Sequence, residues 1–366
     1  MLMSGAESQS EGRIYVLAIN PGSTSTKIAL FAKEDRVWQE TVEHAAQDLK
    51  GFERIWDQLD FRRREVERCL EGHAVRLAEL LAVVGRGGLL KPLQGGTYLV
   101  NQRMLADARA AKRGEHASNL GCALAAELAR RAGVSAYVVD PISVDEFEPL
   151  ARYSGHPLIE RSSLSHALNI HAAAREAASA LRVTLDKANF VVAHLGGGIS
   201  VAPVKSGRII DVNDAASDGP FSPERTGGLP LQPFIRLCFS GNYTEEEVKR
   251  LVMGEGGLKA YLGTSSAREV EKRIAQADEK ATEVYRAMAY QIAKEIGAMA
   301  TVLRGEVNAV VITGGLAKSD ILLAWIKESV GFIAPILVFP GELEMEAMNA
   351  GVLRVLSGAE APKLYA

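Results

Sequence analysis

Three glycine turns hold the residues whose types and spacing could do chemistry. The first, Asn20-Pro21-Gly22-Ser23-Thr24-Ser25-Thr26-Lys27, combines hydroxyl groups, backbone N–H groups and one ammonium in eight residues. Phosphate oxygens need that mixture of donors and positive charge. A plain hairpin turn accounts for the same residues equally well, because Asn, Pro, Gly and Ser dominate turns. The second turn, His194-Leu195-Gly196-Gly197-Gly198, has three consecutive glycines, which permit positive φ and close approach of backbone to a ligand. Strand-like residues follow it, so a dinucleotide fingerprint is disfavoured, and the chain contains no GxxxxGK[ST]. The third, Thr313-Gly314-Gly315, lies between an apolar run and a helical pattern, where a nucleoside or phosphate can sit. Together the three turns suit a grip on ATP; a duplicated scaffold without ligand is the plainer alternative.

The elements that must position these turns read as α/β. Apolar runs at 14–19, 28–32, 190–193 and 199–204 predict strands, so strand, small-residue turn and strand occur twice, about half a chain apart. A stripe through Met288, Ile292, Ile296, Met299 and Leu303 predicts a helix over 287–303, leading into a strand at 309–312 and then a further helix. The strand at 137–139 ends on Asp140, and Arg86 follows another. No Ser/Gly linker separates the halves, so ordered crossings are expected to join them.

Composition narrows the function classes. A chain of 366 residues with 47 % apolar and 24 % charged residues is expected to form two globular domains. A net charge of −3 with no basic block beyond Arg62-Arg63-Arg64 argues against nucleic acid. Three scattered cysteines, Cys69, Cys122 and Cys238, argue against a disulfide framework or zinc knuckle and suit a reducing cytoplasm. No run of about 18 uncharged apolar residues suggests a membrane span. The segment 1–12 is expected to be a polar tail rather than a signal peptide.

Ten segments, in order through nearly the whole chain, carry a resemblance. They are INPGSTSTKIALF (19–31), RGGLLKPLQGGTYLVN (86–101), HASNLG (116–121), VVDPISVDEF (138–147) and SGHP (154–157), then SHALN (165–169), AHLGGGISV (193–201), GPFSPERTGGLP (219–230), VITGGLAKS (311–319) and FPGELEMEAM (339–348). The chain resembles the acetate kinase branch of the actin, sugar kinase and Hsp70-like ATPases, and within it the butyrate-type subgroup. The resemblance implies two ribonuclease H-like domains around a cleft. The first would comprise 1–145 plus 345–366, on the acid and metal side, and the second 146–344, binding nucleotide.

The implied reaction is phosphoryl transfer between ATP and a short-chain carboxylate, with Mg2+. It further implies that Arg86 and Arg225 clamp the acid and the moving phosphoryl group, that His166 donates to that group, and that Asp140, Glu344 and Asn20 hold the metal. Glu342 and Glu346 are close enough in sequence to Glu344 to take its place. Ser23, Ser25, Lys27, His194, Gly196, Gly197, Gly198, Arg268, Gly314 and Gly315 match nucleotide-contacting positions, and His116 an acid-side one. Ser165 stands where relatives often carry Phe, which implies a roomier or differently lined acid pocket. Relatives assemble, so a homo-oligomer is expected. Two rivals remain: a same-fold kinase with another acceptor, such as a sugar, and an actin-like regulatory ATP-binding protein.

Overall fold

The computed structural model describes residues 12–366, so the tail expected over 1–12 lies, save its last residue, outside the described residues. The chain divides into two compact units, one reaching Val144 and completed by Leu343–Ala366, the other spanning Asp145–Glu342.

In the first unit the strands are β1 (Tyr15–Pro21), β2 (Ser25–Ala32), β3 (Asp35–Glu43), β4 (Leu80–Arg86), β5 (Thr97–Leu99) and β6 (Ser135–Val139). The sheet order is β5-β6-β4-β1-β2-β3, with Lys363–Leu364 added beside β5. β1 and β2 form the antiparallel hairpin around Gly22, and β1, β4 and β6 run parallel. Leu17, Ile19, Leu30 and Val83 share a core with Leu120, Leu124 and Leu128 of the helix Asn119–Ala132 and Val66 and Leu70 of the helix Leu59–Gly72. The C-terminal helix Glu344–Leu356 also packs on β1, β4 and β6. With helices to bury its side chains, β1 reads as a continuous apolar run rather than an alternating one.

The second unit repeats the scheme. Its strands are β7 (Asn189–Leu195), β8 (Ile199–Lys205), β9 (Arg208–Ile209), β10 (Ala309–Gly314) and β11 (Ile336–Pro340), in the order β11-β10-β7-β8-β9. β7 and β8 are an antiparallel hairpin, and β7, β10 and β11 run parallel. The first sheet contains the same pattern as β6-β4-β1-β2-β3. The two turns that read alike therefore occupy equivalent places in two like sheets.

Two expectations need correction. The long helix begins at Glu279, capped by the Asp278 side chain, and not near Ala287; its first two turns carry Glu279, Lys280, Glu283 and Arg286 outward and mask the buried Ala281, Val284 and Tyr285. After Gly314 the chain makes a short 3-10 turn, Gly315–Lys318, before the helix Asp320–Val330 begins.

Candidate active site

Side chains gather at the C-terminal ends of the parallel strands in each unit, the usual ligand edge of an α/β sheet. In the first unit β1 pairs Ile19 with Gly85 of β4, and β4 pairs Arg86 with Val139 of β6. Asn20, Arg86 and Asp140 therefore emerge side by side from three adjacent strands. The Asn20 amide donates to Glu344 Oε2 at 2.5 Å, and Arg86 Nη2 lies 3.2 Å from Glu344 Oε1. Glu346 instead pairs with exposed Arg36 at 2.6 Å, and Glu342 is exposed. Among the three glutamates, Glu344 is the one that meets Asn20 and Arg86.

Arg86 is 5 % exposed, and its Nη1 is buried with no hydrogen-bond partner among the described residues. Such an N–H is costly to leave unmet and suits an anion. Asp140 is fully buried, at φ +39°, with Oδ1 accepting from the Gly96 N–H at 2.7 Å. Positive φ at a non-glycine residue is strained and is held only by its surroundings. Asn20, Asp140 and Glu344 offer oxygen donors, the set a hard cation such as Mg2+ takes.

Glycines set Arg86 in place. A Cβ at Gly85 would lie 2.0 Å from the Gly121 carbonyl oxygen, and one at Gly121 would lie 2.1 Å from that of Arg86. β4 and the helix Asn119–Ala132 therefore touch backbone to backbone. Asn119 Oδ1 then accepts from the Leu89 N–H at 2.7 Å and holds the loop after Arg86. His116, just before that helix, is exposed and lies 2.6 Å from the Ser118 hydroxyl.

The Asn20–Lys27 turn closes with Gly22 N–H donating to Ser25 O at 2.8 Å. Ser23 is exposed, Ser25 and Lys27 half-buried, and Lys27 stands opposite Asn20 in the hairpin. Beneath the turn lies Arg62, fully buried, which the sequence showed only as part of the basic block Arg62-Arg63-Arg64. It donates to Ser25 O (2.9 Å), Ser23 O (3.1 Å), Thr26 Oγ1 (3.1 Å) and Gln58 Oε1 (3.0 Å). Burial lowers its pKa to about 10. His44, buried and 2.8 Å from Thr26 Oγ1, is held neutral, its pKa lowered to about 4 by burial and then by Arg62.

In the second unit His166 stands just before the helix Ala167–Ala180, with Nδ1 2.9 Å from Ser200 Oγ. Its ring stacks on that of His194 at 4.2 Å and 22°. A Cβ at Gly198 would lie 2.5 Å from Arg225 Nη1 and 3.3 Å from His166 Cε1, so Gly198, His166 and Arg225 converge. None of Gly196, Gly197 and Gly198 has positive φ. The demand at Gly198 is for space, not for a left-handed backbone. Arg225 Nη1 donates to Ala215 O at 3.0 Å, Ser222 Oγ receives the Arg225 N–H at 3.2 Å, and that hydroxyl donates to Gly197 O at 2.5 Å. Arg225 Nε is buried without a hydrogen-bond partner among the described residues, and burial holds the guanidinium below its ordinary pKa despite Glu224 and Asp214.

Thr313 pairs with His194, so the third glycine turn lies beside the second. Gly314 does adopt positive φ, +97°, and a Cβ there would strike Leu195 O at 2.3 Å, whereas Gly315 is exposed with open space around it. Arg268 is exposed in the first turn of the helix Ala267–Ala275, which Ser266 caps. Ser165 is buried, and its hydroxyl has no partner among the described residues.

The Acetokinase family pattern matches residues 162–325. A probable butyrate kinase of Listeria welshimeri is 50 % identical over 351 residues, covering 96 % of this chain and 99 % of its own. Butyrate kinase 2 of Clostridium acetobutylicum is 48 % identical over 354 residues with the same coverage. This chain belongs to the acetokinase family. Its fold agrees: the crystal structure of Porphyromonas gingivalis acetate kinase superposes with a TM-score of 0.78 at 18 % identity, over 94 % of this chain and all of that one. Among the described residues no helix is long and apolar enough to cross a membrane.

Proposed function

We propose that this chain moves a phosphoryl group reversibly between ATP and a short-chain carboxylate, butyrate or a branched relative. One observation carries the reading beyond family likeness. Arg86, buried at the end of β4 in the first unit, and Arg225, half-buried in the loop beside Gly198 in the second, each hold a buried N–H group unmet by protein among the described residues. A carboxylate or phosphate oxygen satisfies such a group, and a guanidinium does so with fixed geometry.

The acid is already ionised at neutral pH, so its oxygen needs no general base. That oxygen bonds to the γ-phosphorus as the bond to the bridging oxygen breaks, and ADP leaves with the electron pair. Protein groups have mainly to position the reactants and neutralise charge. Arg86 orients the acid, with His116 on the same side. Arg225 and His166 donate to the transferring group, and His194 keeps the His166 ring in place by stacking. The Ser23–Lys27 turn and Gly196–Gly198 line the phosphates, while Gly314, Gly315 and Arg268 face the nucleoside. Asn20, Asp140 and Glu344 would hold Mg2+, which when bound neutralises phosphate charge. We further assign the chain to the cytoplasm and to a homo-oligomer.

Two such arginines are more than an actin-like nucleotide switch requires, and a sugar kinase would need a carboxylate base, for which Asp140 is the candidate. A hydroxamate trap with ATP, Mg2+ and acids from acetate to isovalerate separates these readings. Acyl phosphate formed best from four- and five-carbon acids is the expected result. A clear preference for acetate would overturn the role given to Ser165. ATP turnover only with hydroxylic acceptors, or none at all, would overturn the carboxylate kinase.

A further inference from the structure

The helix Leu59–Gly72 carries Arg62 near its start, and its C-terminal end carries a second constellation. Cys69 and His73 are four residues apart, so both side chains lie on one face at the helix end. The neighbouring strand β3 presents Glu40 to them: Glu40 Oε2 lies 3.4 Å from Cys69 Sγ and 3.1 Å from His73 Nε2. All three donor atoms fall within 4.8 Å of one another. Trp38, two residues before Glu40 and so on the same face of β3, stacks on the His73 ring at 4.2 Å and 9°. The imidazole is thus oriented before any ligand arrives.

We propose that Glu40, Cys69 and His73 form a zinc site with a fourth position open to water or an external ligand. The distances support it. Tetrahedral zinc with a sulfur at about 2.3 Å and nitrogen and oxygen at about 2.0–2.1 Å needs edges of about 3.5 Å from sulfur to oxygen and about 3.3 Å from nitrogen to oxygen. The edges found, 3.4 and 3.1 Å, require only small movement. A thiolate, an imidazole and a carboxylate select a borderline ion such as Zn2+ over Mg2+ or Ca2+, which prefer oxygen alone.

Cys69 is 7 % exposed in the core of the first unit, while Glu40 and His73 reach solvent. The ion would therefore sit at the surface with one buried anchor. Burial, then the hydrogen bond to Glu40, raises the thiol pKa to about 12, so without metal Cys69 is a protonated donor. On binding, the S–H bond is replaced by an S–Zn bond and the proton passes to solvent. Metal would also tie β3, the edge strand of its sheet, to the helix that carries Arg62 beneath the first glycine turn. The site does not depend on the proposed reaction.

Titration of the reduced full-length protein with Co2+ alone, followed by absorbance, tests this directly. Expected are one tetrahedral Co2+ per chain with a thiolate charge-transfer band, displacement by one equivalent of Zn2+, and a rise in Tm with Zn2+. His73→Gln alters an exposed side chain and should weaken binding at least about 100-fold, as should Cys69→Ser, since even an outer-shell partner is worth 10–100-fold. Cys238→Ser should change nothing. Octahedral Co2+ without the thiolate band, or binding that survives in both the His73→Gln and Cys69→Ser variants, overturns the site.

Discussion

Arg62 is a buried cation held by neutral oxygens alone, with no carboxylate paired to it among the described residues. Two of those oxygens are backbone carbonyls of the first glycine turn, so the guanidinium fixes the turn and its positive charge is not cancelled locally. In a low-dielectric setting that charge acts on whatever anion lies above. Arg62→Met should cost about 2–4 kcal/mol of stability, since charged hydrogen bonds contribute about 1.5–3 kcal/mol each and are not additive. It should also raise KM for ATP at least about 10-fold with a smaller change in kcat. Arg62→Lys keeps the charge but not the fork, and should recover KM more fully than stability. A folded Arg62→Met enzyme with an unchanged KM for ATP would remove the electrostatic role. His44, beside Arg62, gives a pH prediction at the same scale. Its folded pKa is near 4 against 6.5 in an unfolded chain, because burial and Arg62 oppose charging. As pH falls from 6.5 to 4 the unfolded chain takes a proton that folded His44 refuses, so stability is lost across that window and is level above it. NMR titration should show His44 neutral at pH 5, and His44→Gln should flatten part of the slope in chemical denaturation. A normal titration near 6.5 would show that the ring is not enclosed as described.

At the scale of elements, the closest dependence is between β4 and the helix Asn119–Ala132. With Gly85 and Gly121 separated by no side chain, one methyl group must push the helix off the strand. Gly121→Ala should therefore cost about 3 kcal/mol or more, at or beyond the upper end of ordinary overpacking. Where the variant still folds, Arg86 should be displaced, and KM for the acid should rise more than KM for ATP. Equal stability of wild type and variant in urea would mean that the contact is looser than the coordinates have it. The same pair shows what was legible in the sequence and what was not. Both hairpins could be read because apolar runs bracket small-residue turns, a local pattern. RGG and SNLG could be quoted as motifs, but Gly85, just before the first, meets Gly121 of the second across about 35 positions of chain, and spacing says nothing of that. Arg62 was hidden for a related reason: in a helix with Arg63, Arg64 and Arg68 it reads as one more charge on a solvated face, while only packing shows that it points inward. β5, β9 and the terminal Lys363–Leu364 are too short to leave a periodicity. The candidate residues of each cluster were legible; the supports that hold them were not.

For the whole molecule, the repeated sheet scheme divides the candidate chemistry in two. Asn20, Arg86, Asp140 and Glu344 belong to the first unit, whereas His166, His194, Gly198 and Arg225 belong to the second. Under the proposed roles, acid and phosphoryl recognition separate along the same line. Nucleotide at a hundredfold excess over its Kd should stabilise the protein by about 2.7 kcal/mol, whatever its affinity. Arg86→Gln should keep that stabilisation with ATP and Mg2+ while losing saturation by butyrate. Arg225→Gln at the same ATP concentration should show less of it, and its kcat should fall roughly 100–1000-fold, the loss typical of one preorganised donor to a charged transition state. Arg86→Gln deprives Glu344 of its ion-pair partner and Arg225→Gln deprives Ala215 O of a donor, fewer groups than the four oxygens that Arg62→Met would leave, so both should fold. Thermal shifts read binding without turnover, and the hydroxamate trap reads turnover, which keeps the two effects apart. If Arg86→Gln abolished the ATP shift and Arg225→Gln left it whole with kcat intact, the division of labour would be reversed. The second unit would then have to bind the acid, and the stacked histidines beside Gly198 would need another explanation.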